Sequence, residues 1–147
     1  MFFSHCRQLN GAIICTLYRR ESQGGNNWGT PQRLAINVDG DKYTSQQPSI
    51  ARMEGAEWLL FASDRPGTKG GLDLWRAKLN PEDGSLGEPE NLAAVNSSWN
   101  EATPSFHELS GRLFFSSDRE PSFGLYDLFE SHFDGTAWSA PKNMDQP

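Results

Sequence analysis

The sequence predicts an all-β chain made of repeated four-stranded antiparallel meanders, and three observations predict it. An acidic and basic pattern recurs at a constant offset: Asp64 to Asp118, Arg65 to Arg119 and Asp73 to Asp127 are each 54 residues apart. A fixed offset of that kind marks a structural repeat. Each copy also places an apolar run (Trp58–Phe61, Leu113–Phe115) before a polar, glycine-bearing turn and a second apolar run opened by aspartate, which is the layout of a hairpin. Finally, fourteen glycines and nine prolines divide the chain into many short elements joined by turns.

Taken in order, residues 1–39 read as an incomplete unit. Met1-Phe2-Phe3-Ser4 has the character of Leu60–Ser63 and Phe114–Ser117, Leu17-Tyr18-Arg19 that of Leu74-Trp75-Arg76, and Trp28–Leu34 parallels Leu86–Leu92 and Trp138–Met144. No counterpart of the first strand precedes them. Residues 40–94 read as a complete unit, with strands over Gln47–Ile50, Trp58–Ser63, Leu72–Leu79 and Pro89–Ala93. Glu54–Glu57 and Asn80–Gly84 supply turns with suitable residues. Trp58–Ser63 is apolar on both faces and is expected to be buried on both sides. Proline suits Pro89–Ala93 to an edge. Residues 95–147 copy the pattern over Thr103–Phe106, Arg112–Ser117, Leu125–Phe133 and Trp138–Met144. Pro48 to Pro104 spans 56 residues and Pro89 to Pro141 spans 52, a drift that turns absorb at little cost. Asp145-Gln146-Pro147 falls where a further repeat is expected to start.

Four-stranded meanders of this length are blades of a β-propeller, which closes with about 4–8 of them. The expectation is therefore a partial propeller of about three blades. Either the chain is part of a longer one, the reading favoured by both ends cutting a repeat, or several chains assemble.

The 147 residues suit one domain, and 36% apolar content with 12% aromatics suits a folded core. A net charge of −6, with basic residues scattered, argues against nucleic acid. No run approaches the roughly 20 apolar residues of a membrane helix, and Met1-Phe2-Phe3 lacks the apolar stretch of a signal peptide.

Asp64 with Asp73, and Asp118 with Asp127, bracket the two hairpins, so the carboxylates of each pair are placed to face each other across adjacent strands. Read functionally, such a pair with turn carbonyls makes a calcium site. Read structurally, each aspartate accepts turn N–H groups while Arg65 or Arg119 balances the charge. Repetition of Ser63-Asp64-Arg65 as Ser117-Asp118-Arg119 favours the structural reading, and no cofactor is expected. In the first unit, aligned without a gap, Cys6 and Cys15 stand at the two aspartate positions. A one-residue shift that matches Leu17-Tyr18 to Leu74-Trp75 moves Cys15 off its aspartate. Asn10-Gly11 between them signals a type I′ hairpin, which pairs residues summing to 21 and sets Cys6 opposite Cys15 at a close, non-hydrogen-bonded position. Their β-carbons are expected within disulfide reach, bonded in an oxidising compartment and free in cytosol.

His5, His107 and His132 fall at three different repeat positions with no metal-ligand or triad spacing. Glu54/Glu57 and Glu82/Asp83 lie in turns, and no hydrolase elbow, phosphate loop or zinc-protease motif is present. Trp28 and Trp138 recur where Leu86 replaces them and are expected in the core, as is Trp75, matched by Phe129. Trp99 has no counterpart, sits between units, and is the best candidate for a contact residue. Asn96-Ser97-Ser98 formally matches a glycosylation acceptor.

Phe61-x-Ser63-Asp64-Arg65, Gly67, Gly70-Gly71 and Asp73-Leu74-Trp75, with their copies Phe115-x-Ser117-Asp118-Arg119, Gly124 and Asp127-Leu128-Phe129, resemble the WD40-like PD40 propeller repeat. That repeat occurs in the periplasmic protein TolB and in envelope proteins of the OmpA-associated type. Asn100–Phe106 and Trp138-x-x-Pro141 resemble its longer envelope form. The resemblance implies a non-catalytic propeller scaffold in the periplasm or cell envelope of a bacterium, binding protein or peptidoglycan-associated partners. It equally allows the propeller portion of a peptidase or glycan-active enzyme whose catalytic residues lie elsewhere.

Overall fold

The computed structural model describes residues 1–38, 42–122 and 124–144 and is all-β. The first sheet runs Phe2–Leu9 (β1), Ala12–Arg19 (β2) and Gln32–Arg33 (β3). The second runs Ser45–Met53 (β4), Ala56–Ser63 (β5), Asp73–Lys78 (β6) and Glu90–Asn91 (β7). The third runs Glu101–His107 (β8), Arg112–Ser117 (β9), Asp127–His132 (β10) and Lys142–Asn143 (β11). Each is an antiparallel meander in chain order, and none closes on itself. These are three propeller blades, and the first begins at its second strand.

The blades stack through two apolar seams, set by the alternation of side chains along each strand. On β5, Leu59 and Phe61 pack with Leu17 and Leu34 of the first blade, while Trp58, Leu60 and Ala62 pack with Leu113, Phe115 and Phe129 of the third. Leu59 to Ala62 are all fully buried, so the two-sided apolar run at 58–63 is a strand covered on both faces. Burying each large side chain there contributes about 1.5–3 kcal/mol.

Inner and edge strands depart from the expected bounds in opposite directions. β4 and β8 are longer than Gln47–Ile50 and Thr103–Phe106 because both cross a bulge, between Gln46 and Ser49 and between Ala102 and Ser105. Gln47 and Thr103 take left-handed backbone there, at φ 55° and 51°, and the Gln47 Oε1 accepts the Thr103 N–H at 2.9 Å. The bulge accommodates Pro48 and Pro104 in strands that are not edges. β7 and β11 shrink to two residues each, because only Trp75/Arg76 and Phe129/Glu130 remain in register with them. The turn expected over Glu54–Glu57 is only Glu54-Gly55, both at positive φ, and Ala56-Glu57 already pair with Met53-Arg52 in the ladder.

Two expectations for the first blade are corrected. Its aromatic pair is Phe3 and Tyr18, cross-strand partners like Phe61 with Trp75 and Phe115 with Phe129. Phe3, not Phe2, therefore takes the place of Phe61. The same register leaves Cys6 at the place of Asp64 but puts Thr16, not Cys15, at that of Asp73, so the shifted alignment is the one the chain adopts. Trp28, expected in the core, is 43% exposed. Its counterparts Leu86 and Trp138 pack into the seams with the preceding blade, and the first blade's corresponding face is uncovered. The 39/40 boundary and Asp145-Gln146-Pro147 lie outside the described residues.

Cys6 lies opposite Cys15 and is bonded to it. Asn10 and Gly11 adopt φ 50° and 84°, the two positive values a type I′ turn requires. On its side away from β1, β2 pairs with β3 only at Tyr18 and Arg19, and side chains bond it before that. The Cys15 N–H donates to Thr44 Oγ1 and the Leu17 N–H to Asn37 Oδ1, each at 2.8 Å. Closing a loop of nine residues' separation constrains the unfolded chain by roughly 2–3 kcal/mol. Reduction, or Cys6→Ser with Cys15→Ser, is expected to lower the unfolding free energy by about that amount. Urea melts with and without reductant measure it, and coincident melts would contradict it.

Candidate functional site

The repeated aspartates and arginines sit at the end of each blade where the second strand turns into the third. Asp73, opposite Ser63, accepts the N–H groups of Lys69 and Gly70 and the amide of Asn91. Asp64 turns to the inner strand and accepts the Thr44 N–H. Asp118 accepts the backbone and side-chain N–H of Asn100 at 2.7 and 2.8 Å, and Asp127 accepts the Asn143 amide at 3.0 Å. Each carboxylate is committed to N–H donors, and the members of a pair bond to different ones. Among the described residues no group of three or more His, Cys, Asp or Glu converges as a metal would need.

The arginines are built into the seams. Arg65 donates to Ser63 and Ser45 hydroxyls at 3.1 Å and lies over the Phe61 and Trp75 rings at 4.8 and 5.3 Å. Burial pushes its guanidinium down to about 10, with Asp64 pulling the other way, so it remains charged at neutral pH. Arg119 repeats the arrangement over Phe115 and Phe129. Its ion pair, at 2.8 Å, is with Glu101 rather than with an aspartate. Glu101 is fully buried at the start of β8, where the second blade has Ser45, and also accepts from Ser97 and Ser117. Sequence reasoning passed over it because it is not repeated.

A second device was hidden by a one-residue insertion. Asn37 and Asn96 each hold both backbone groups of the residue at the same place in their blades, Leu17 and Leu74. Aligning Leu34-Ala35-Ile36-Asn37 with Leu92-Ala93-Ala94-Val95-Asn96 would have revealed it.

At the corner between the second and third blades these parts fix a platform. The Gly71 N–H donates to the Trp99 carbonyl, the Leu72 N–H to Asn100 Oδ1, and the Glu101 N–H to the Leu72 carbonyl. Gly70 is pressed against the backbone of Ser98 and Trp99, leaving no room for a β-carbon. Trp99 stands on this platform 45% exposed. Tyr126, 49% exposed, shares the corner: burial pushes its phenol up, and the charges of Asp118 and Glu101 add to the effect. The corner thus offers the exposed indole of Trp99 on this platform with the half-exposed Tyr126 ring near it, faces suited to stacking or packing. His5, His107 and His132 are exposed on separate strands, as the sequence placed them. Glu54 and Glu57 pair with Arg76 and Arg52.

No family model matches the chain, and no curated protein does. Among solved structures, the chain is similar to an alpha-L-arabinofuranosidase from Lactobacillus brevis, with a TM-score of 0.62 and 14% identity over 92% of this chain. The match covers 52% of that protein, so the chain spans about half its length. At that identity the likeness is one of fold.

Proposed function

We propose that the chain is a non-catalytic propeller scaffold of a bacterial cell-envelope protein, presenting the corner around Trp99 to a protein or peptidoglycan-associated partner. The observation that carries this reading is the division of labour at the blade corners. The repeated carboxylates and arginines are consumed by internal bonds, whereas Trp99, which stands where the second blade has the half-buried Tyr43, is exposed on a fixed base. The PD40-like motif adds the envelope, and the Cys6–Cys15 bond favours an oxidising compartment such as the periplasm over cytosol. Among the described residues no helix is long and apolar enough to cross a membrane.

Co-sedimentation with purified peptidoglycan is the test. Trp99→Ala is expected to weaken binding at least tenfold, the effect of losing a central aromatic anchor worth about 1.4 kcal/mol or more. Unchanged binding by this variant would remove the corner from the proposal. The second reading, a propeller portion of a glycan-active enzyme, is prompted by the arabinofuranosidase likeness. Hydrolysis of an aryl arabinofuranoside by the purified chain would overturn the non-catalytic reading.

A further inference from the structure

The inner hairpins of the second and third blades differ in length. Ala51 with Trp58 stands at the level of His107 with Arg112, where the third ladder ends, but β4 and β5 pair two positions further, Arg52 with Glu57 and Met53 with Ala56. At about 3.4 Å per residue, the tip of the second blade reaches roughly 7 Å past that level. The third blade instead turns at once through a 3₁₀ turn at Glu108–Ser110, closed by Gly111 at φ 63°. The step between them opens a groove of two adjoining hollows, about 760 and 400 Å³, which share Arg52, Met53, Glu54 and Glu108. Successive turns of an antiparallel meander lie at opposite ends of the blade, so this groove is at the far end from Trp99.

We propose that this groove binds an extended peptide segment of a partner protein, with two apolar side chains seated in the hollows and a basic side chain beside them on Glu108. Met53, Ala56 and Leu79 give the first hollow an apolar lining, and Phe106, Leu109 and Phe133 the second. Both are the size of ligand sites, which combine apolar walls with a few placed charges. Two hollows side by side suit a linear ligand, because an extended chain sends alternate side chains to one side. Residues two apart then enter the hollows while the one between them points away. Leu109, at the edge of the groove, is 94% exposed and adds apolar surface for such a segment to cover.

The charges select a basic third contact. Arg52 pairs with Glu57 at 3.0 Å and Glu54 with Arg76 at 3.2 Å, so these four are committed within the second blade. The exposed Glu108 carboxylate has no hydrogen bond or ion pair among the described residues. Asp134, which lines the same second hollow, is ionised as well: the Ala137 N–H, with the hydroxyl and N–H of Thr136, holds its carboxyl down to about 2. A lysine or arginine of the segment meets these carboxylates on the third-blade side. Lys78, exposed at the first hollow and likewise unpaired among the described residues, is placed to take a carboxylate of the same segment.

Fluorescence polarisation with a labelled short Gly/Ser peptide carrying Leu-Gly-Leu-Lys at its centre, and with the same peptide carrying Glu in place of Lys, is the test. The lysine peptide is expected to bind tighter by about fivefold or more, the effect of a half-exposed ion pair set against a repulsion. Glu108→Lys changes an exposed side chain, so far-UV circular dichroism is expected to stay unchanged while the preference reverses, which a loss of fold would not produce. Ala56→Trp, which fills the first hollow, is expected to weaken binding of both peptides. Equal binding of the two peptides, no binding of either at about 1 mM, or a Glu108→Lys variant with the wild-type preference would each overturn the proposal. Dimers seen by light scattering and abolished by Glu108→Lys would give the groove to a second copy and overturn it too. Trp99→Ala is expected to leave peptide binding unchanged, so these outcomes do not depend on the Trp99 assignment.

Discussion

Glu101→Ala is expected to lower the unfolding free energy by about 3–4 kcal/mol, among the largest losses available to a single substitution in this chain. Glu101 is completely buried and accepts from four donor groups, the Arg119 guanidinium, the Ser117 hydroxyl, and the hydroxyl and N–H of Ser97. Removing it leaves Arg119 charged in the seam, over Phe115 and Phe129, without its counter-ion. An uncompensated charge in an apolar seam costs far more than the intact pair contributes. Arg119→Met in the Glu101→Ala background should therefore recover part of the loss, because the stranded charge goes with it. Urea denaturation of both variants measures this. A Glu101→Ala midpoint within error of wild type would show that the pair is not buried as described.

Gly70→Ala is expected to cost about 3 kcal/mol or more. A methyl at this position would overlap the Trp99 carbonyl oxygen and lie 2.7 Å from the Ser98 carbonyl carbon. These are backbone atoms of the connection between blades, so no rotamer change relieves the overlap, and the connection itself must move. Gly124, its counterpart in the third blade, has nothing closer than the Asp127 carboxylate at 3.9 Å. Gly124→Ala should accordingly stay within about 0.5 kcal/mol of wild type. Thermal melts of the two variants side by side make the comparison, and equal effects would contradict the close approach. The Gly70→Ala variant should also lose whatever binding depends on Trp99, since the platform is displaced with it.

Much of the fold was legible in the residues because a repeat prints the same physical requirement more than once. The 54-residue offset located the second and third hairpins. The two-sided apolar run at 58–63 identified the strand buried on both faces, and Asn10-Gly11 set the register that places Cys6 against Cys15. These are local or pairwise requirements, and the residue types that satisfy them are few. Strand ends were less legible. The bulges at Gln47 and Thr103 lengthen β4 and β8, and their geometry depends on a hydrogen bond between blades that no single segment encodes.

Of the candidate site, the sequence singled out Trp99 as lacking a copy, although the register that sets Glu101 at the place of Ser45 sets Trp99 at that of Tyr43, and it passed over Glu101. The aspartates and arginines of the corners could be named from the repeat, but their partners could not. Asp64 bonds a residue 20 positions earlier, and Asp118 one 18 positions earlier. Trp28 shows the limit most plainly. It occupies the place of Trp138 and Leu86, and by composition it belongs in a core. By itself the sequence determined which faces are apolar and which residues hold each hairpin, since both follow from strand alternation and turn chemistry. Only the tertiary structure decided which of those faces are covered, because burial depends on the neighbouring blade, and the residues of one blade do not specify whether that neighbour is present.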